Sequence, residues 1–307
     1  MERFLIPGMG WLQSLRDFRD LTPDSPEVAA MLSHLECCGS SEATATTADL
    51  REYFPEVHHQ GRLNSSSSHA AIGLVEYFES RANGVFVEPS RLFLYYTARK
   101  MAGTAGDGGA DLRSTLKAMT CFGIPAERFW GYDLDKCNVT PDAFLYSFAT
   151  HYKPIRYVRL DGPNTNGHDT LKTVRSFIAS GFPVAFGFPV PTSLSANGDV
   201  LYRPSLDSIC GGQAVVAVGY DDRRVGSTRG ALLIRNSWGK EWGEQGHGWL
   251  PYRYVEQQLA TEFWTLLHPQ WLASGEFTQP PLESRAALLK SKANSTDSAT
   301  IPSTNVP

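Results

Sequence analysis

A change of pattern near Trp130 constrains the fold of this chain more than any other feature. Before it, apolar residues recur at helical spacing: Ala71, Leu74, Val75 and Phe78 share a face of a segment running from about Ser67 to Ala82, with Ser residues able to cap its start. "PSRLFLYYTARKMA" and "ADLRSTLKAMTCFG" predict two further helices, the second stopped by Gly123 ahead of Pro125. After Trp130 the apolar residues come in β-branched or aromatic runs, "IRYVRL", "FPVAFGFPV", "AVVAVGYD" and "GALLIRNSW", separated by Gly, Pro and Asp. One helix, "HDTLKTVRSFIASG", lies among them and ends at Gly181. Helices first and strands second predict an α+β protein of two packed lobes.

The flanks read differently. Residues 1–59 form an arm with a short helix around Ser25–Cys37, where Pro26 suits the first turn. Residues 274–307 are poor in large apolar groups and rich in Ser, Thr and Pro, which predicts disorder with a short helix at Glu283–Lys290. A net charge of -4 leaves no global basic field to recruit nucleic acid or anionic lipid. The chain has no apolar run long enough to span a membrane, and its start lacks the charged region, apolar core and cleavage site of a secretion signal. Five cysteines, odd in number and without a repeating framework, point to thiols in a reducing, cytoplasmic setting. Adjacent Cys37 and Cys38 lack the second pair that zinc spacing requires, so neither metal nor cofactor is expected.

The segment "ALLIRNSWGKEWGEQGHGWLPYRYV" carries the sharpest signal. Asn236-Ser237-Trp238-Gly239, Trp242-Gly243, Gly246-His247-Gly248-Trp249 and Pro251-Tyr252 together resemble the papain-like cysteine peptidases. Other segments follow in that family's order. "QGRLNSSSSHAA" resembles the stretch from the glutamine to the nucleophile, "DGGADLRS" the double-glycine substrate loop, and "CGGQAVVAVGYDD" the histidine segment. The likeness spans about Arg16 to His268 and looks closest to the bacterial, prosegment-poor branch. It implies a papain-like two-lobe fold: a helical lobe at residues 60–150, an antiparallel, barrel-like β lobe at 151–268, and a cleft between them.

Thiol peptidases need a thiolate, a histidine that takes and returns the proton, and a group orienting that histidine. By resemblance, Gln60 matches the oxyanion-hole glutamine, Asn236 the orienting asparagine and Trp238 the indole beside it, while Gly108 and Gly109 match the substrate loop. The nucleophile position falls on Ser66, within a serine run that leaves the register open by one, and the base position falls on Gln213. A serine hydroxyl depends wholly on an adjacent base, and an amide cannot accept and return a proton near neutral pH. Rescue would need another histidine. His69 shares a helical face with Ser66 but approaches from the side away from the cleft, and His58 and His59 lack a carboxylate at metal-binding spacing. His247 is expected to be a packed or surface residue, "DDRRVGSTRG" a solvated hairpin loop, and Trp130, Trp249 and Trp264 core or lobe-interface residues. The expectation is a pseudopeptidase that binds a protein or peptide partner, with the arm and tail as places for partner contacts. The alternatives are a hydrolase with altered serine chemistry or an inactivated form of an active cysteine peptidase.

Overall fold

The computed structural model describes residues 8–33, 45–84, 86–149, 152 and 155–277. In chain order the elements are α1 (Pro26–Leu32), β1 (Thr47–Asp49), α2 (Ser66–Asn83), α3 (Arg91–Ala102), α4 (Leu112–Phe122), α5 (Ala143–Ser147), β2 (Arg156–Arg159), α6 (Gly167–Ala179), β3 (Val184–Pro191), β4 (Ile209–Val225), β5 (Arg229–Arg235), β6 (His247–Pro251), α7 (Arg253–Glu256), β7 (Thr261–Leu267) and α8 (Pro269–Ala273). The architecture is α+β, as the pattern change at Trp130 predicts.

Four helices begin where short polar side chains satisfy free backbone N–H groups: Ser90 accepts from Phe93 N, Asp111 from Ser114 N, Asp142 from Phe144 N and Asn166 from Asp169 N. Helix α2 departs from this. Ser65 precedes it without capping it, because its hydroxyl is engaged 2.6 Å from the Tyr132 hydroxyl. Helix α1 runs to Leu32 with Ser33 at its C-cap, and the remainder of the segment expected to reach Cys37 lies outside the described residues, as do all of residues 34–44. So do residues 278–307, including the helix expected at Glu283–Lys290.

Helix α2 is the centre of the molecule. It packs on α3 and α4 on one side and on β3 and β4 on the other. Its residues Ser66, Ser67, Ser68, Ala70 and Ala71 are all buried, since small side chains let helix and sheet approach closely. The sheet has seven strands, ordered β2-β7-β3-β4-β5-β6 with β1 added to β4, and every pairing is antiparallel. The path has two ends, β2 and β6, so among the described residues the barrel-like lobe is an open sheet. Phe186 stacks on Phe263 at 4.8 Å between ring centres in its apolar interior.

Strands β4 and β5 continue to the pair Val225 and Arg229, so the segment expected as a solvated loop is mostly strand. Trp264 is fully buried. Trp249 is half-buried beneath the Arg224 guanidinium, 4.3 Å from its ring centre.

Candidate active-site cleft

The loop before α2 supplies Gln60, the first residues of α2 supply Ser66, and β4 and the segment after β5 supply Gln213 and Asn236. The fold brings these four sequence-distant residues together. Gln60 is buried and its Nε2 donates to Leu63 O at 2.7 Å and to Met9 O at 3.1 Å. The backbone N–H of Ser66 donates to the same Met9 carbonyl at 3.2 Å. Two N–H groups from separate elements thus converge on one carbonyl oxygen, the geometry that stabilises an oxyanion in acyl transfer.

The opposite side of the centre is an uncharged network. Gln213 Nε2 lies 2.7 Å from Asn236 Oδ1, 3.1 Å from Gln60 Oε1 and 3.1 Å from Ser237 Oγ. Ser237 Oγ donates to Gln60 Oε1 at 2.5 Å, and Ser237 N to Asn236 Oδ1 at 2.8 Å. The Ser66 hydroxyl accepts from Ala214 N at 3.2 Å. Ser237 is thus a member of the network that the sequence reading did not single out; its place beside Asn236 is the signal that could have found it. No member of the network ionises near neutral pH.

Residues 8–12 run through the cleft and touch both sides. Gly8 N donates to Gly61 O at 3.0 Å, and Gly8 O accepts from Trp238 Nε1 at 3.1 Å. Trp11 N donates to Gly212 O at 3.0 Å, while Ala110 N donates to Gly10 O at 3.1 Å. Gly109 (φ 80°) has to be glycine here, since a Cβ would stand 2.2 Å from Gly10 O. Gln60, Ser66 and Gln213 are fully buried with the arm in place. Residues 8–12 of the arm, expected as a place for partner contacts, lie inside the cleft.

Trp11 marks the far end of that segment and is 9% exposed. Its Nε1 donates to Glu262 Oε2 at 2.8 Å, and the Ser14 hydroxyl bonds to the other oxygen of the same carboxylate. Glu262 has a left-handed backbone (φ 61°) where the pairing of β3 with β7 shifts register. That conformation is strained for a residue with a Cβ. Burial pushes the Glu262 carboxyl up to about 7; Asp111 adds to the rise, and the bonds from Ser14 and Trp11 oppose it. Nothing in the local sequence around Glu262 announces this role.

The candidate rescue base sits elsewhere. His69 Nδ1 lies 3.1 Å from Ser65 O and 3.4 Å from Ser65 Oγ. The nearer, backbone contact requires the proton on Nδ1, so this nitrogen is a donor and not a base toward the serine. Burial pushes His69 down to about 3, and Ser65 itself faces Tyr132, which donates to Gln60 O at 2.9 Å. His59 Nδ1 accepts from Gly61 N at 2.8 Å, and His58 stands 3.5 Å from Glu88. Among the described residues no group of three His, Cys, Asp or Glu side chains could hold a metal. His247 is buried, with Nδ1 3.2 Å from Glu244 O.

Comparison with known proteins identifies the family. Residues 30–262 match the sequence profile described as papain family cysteine protease. A peptidase C1-like protein of Acanthamoeba polyphaga mimivirus is 32% identical over 216 residues, which is 67% of this chain and 68% of that protein. The probable cysteine protease RDL2 of Arabidopsis thaliana is 28% identical over 202 residues; the match covers 62% of this chain and half of the plant protein. Among solved structures, xylellain, a cysteine protease from Xylella fastidiosa, superposes with a TM-score of 0.67 at 29% identity, covering 87% of this chain and 98% of that one. The procathepsin L2 proteinase of Tenebrio molitor shares the fold at 19% identity, with a TM-score of 0.63 over 85% of this chain and 78% of its own. This chain therefore belongs to the papain family of cysteine proteases.

Proposed function

We propose that the chain is a pseudopeptidase of this family, a protein whose cleft holds an extended peptide segment without cutting it. The observation that carries the reading is the Gln213 side chain. It occupies the base position with its Nε2 committed to Asn236 Oδ1 and Gln60 Oε1, and an amide cannot take the Ser66 proton or hand one to a leaving amine. The half of the site that binds a carbonyl is intact, since Gln60 Nε2 and Ser66 N still converge on one. Binding without turnover follows from that division, because the donors hold an acyl group that no base activates a nucleophile to attack. In the role of a scaffold or regulator the chain would engage a protein or peptide partner through this cleft. The likeness to xylellain supports a place near the bacterial-type members, and the odd, unframed cysteines support a reducing, cytoplasmic setting.

A peptide library incubated with the full chain and with its Trp11→Ala form, in which the arm is loosened, tests the reading. Neither is expected to release product above the buffer rate. Turnover in either form that Ser66→Ala abolishes would overturn it.

A further inference from the structure

The arm reports what the cleft is shaped to accept. Trp11 lies against β3 at Gly187, where a Cβ would stand 1.9 Å from the indole ring, so the absence of a side chain at that position is what makes the slot. The slot ends at Glu262, the one group that reads the indole N–H, at 2.8 Å. A carboxylate buried at the edge of an aromatic ring is unfavourable unless something donates to it, because a buried charge or unpaired acceptor is destabilising. Glu262 also holds a strained left-handed backbone in the pose that meets Trp11. A phenyl ring would fill the same apolar space but leave the carboxylate oxygen unpaired. The backbone of residues 8–11 adds an unselective set of hydrogen bonds to Gly61, Ser66, Ala110 and Gly212. Backbone bonds therefore hold any extended segment, and the slot chooses among side chains.

We infer that the Gly187–Glu262 slot is an indole-recognition site, that residues 8–12 are its intramolecular ligand, and that the partner which displaces them is an extended peptide carrying tryptophan. The inference rests on the non-catalytic reading of the cleft and names the class of peptide it takes.

The test uses the full chain carrying Trp11→Ala and an N-acetylated, C-amidated peptide of residues 8–12, titrated by calorimetry. The parent peptide is expected to bind about tenfold or more tightly than its Trp11→Ala and Trp11→Phe versions. Adding Gly187→Val to the protein is expected to remove that preference by filling the slot. Equal binding of the three peptides, a phenylalanine version as tight as the parent, or no binding to folded protein would overturn the assignment. If Trp11→Ala does not fold, the unmodified chain gives the same answer by competition. There the parent peptide should speed hydrogen exchange at the Gly8 and Leu12 amides while the alanine version does not, and equal effects would overturn the assignment. Cleavage of a bound peptide would sink the non-catalytic reading and leave the indole preference standing. Loss of the preference without cleavage would sink only the slot.

Discussion

The two ends of the arm segment are held by different chemistry. Around Met9 the contacts are amides and backbone, Asn64 Oδ1, Gln60 Nε2 and Ser66 N, and Gln60 is backed by the uncharged network of Gln213, Asn236 and Ser237. Around Trp11 the anchor is a buried acid, Glu262, which accepts from the indole N–H. The first end has no group that titrates near neutrality; the second has one whose proton affinity is raised into that range. In a working thiol peptidase the centre is where protonation matters, because thiolate and imidazolium must coexist. On the proposed reading, with an amide and a hydroxyl at the centre, the pH dependence of this cleft moves to the slot and bears on occupancy instead of chemistry.

The comparison breaks most easily at Trp11. Replacing it with alanine removes a nearly buried indole and leaves Glu262 Oε2 without its donor, which should cost the docked arm about 3–5 kcal/mol. Hydrogen exchange at the Gly8 and Leu12 amides should accelerate accordingly. Unchanged protection would mean that the Met9 end alone holds the arm.

The next effect is that of pH on docking. Glu262 faces the Trp11 indole and the Ser14 hydroxyl from the arm, and Asp111 and Arg113 from α4 and the residue before it. Its own N–H donates to Asp161, which is paired with Arg159. With the docked carboxyl raised to about 7, and a carboxyl exposed by undocking returned to its ordinary 4.5, docking gains its full proton-linked stability below pH 4.5. That stability is lost as the pH rises through 7, where the change levels off. The gap corresponds to at most about 3 kcal/mol. Arm exchange measured across this range should quicken with rising pH in the unmodified chain and stay flat in Glu262→Gln. A pH-independent unmodified chain would remove the proposed contrast between the two ends.

The smallest effect belongs to the neutral end. Gln213→Ala leaves Gln60 Oε1 and Asn236 Oδ1 each without one donor, a penalty of about 1–3 kcal/mol. Thermal unfolding should shift downward by the same amount at pH 5 and pH 8. A pH-dependent shift would reveal an ionising group in the network.

Local patterns explain why so much of the fold could be read early. The helical spacing of Ala71, Leu74, Val75 and Phe78 predicts α2, and the β-branched runs predict β2 to β5, because periodicity and propensity act over a few residues. The cap expected from the serine run is absent for a tertiary reason: Tyr132 engages the hydroxyl of Ser65, the N-cap residue 67 positions away. The "DDRRVGSTRG" loop became strand because β4 and β5 extend one another's hydrogen bonding to Val225 and Arg229.

By itself the sequence determined which chemical groups fall at the positions matched by resemblance: a hydroxyl at Ser66 and an amide at Gln213, whose inability to trade a proton is a property of the groups in any fold. Only the tertiary structure decided what fills the cleft. Met9 meets Gln60 across 51 residues and Trp11 meets Glu262 across 251. Contacts that distant leave no periodic trace along the chain, because they form only after the helices and sheet have packed.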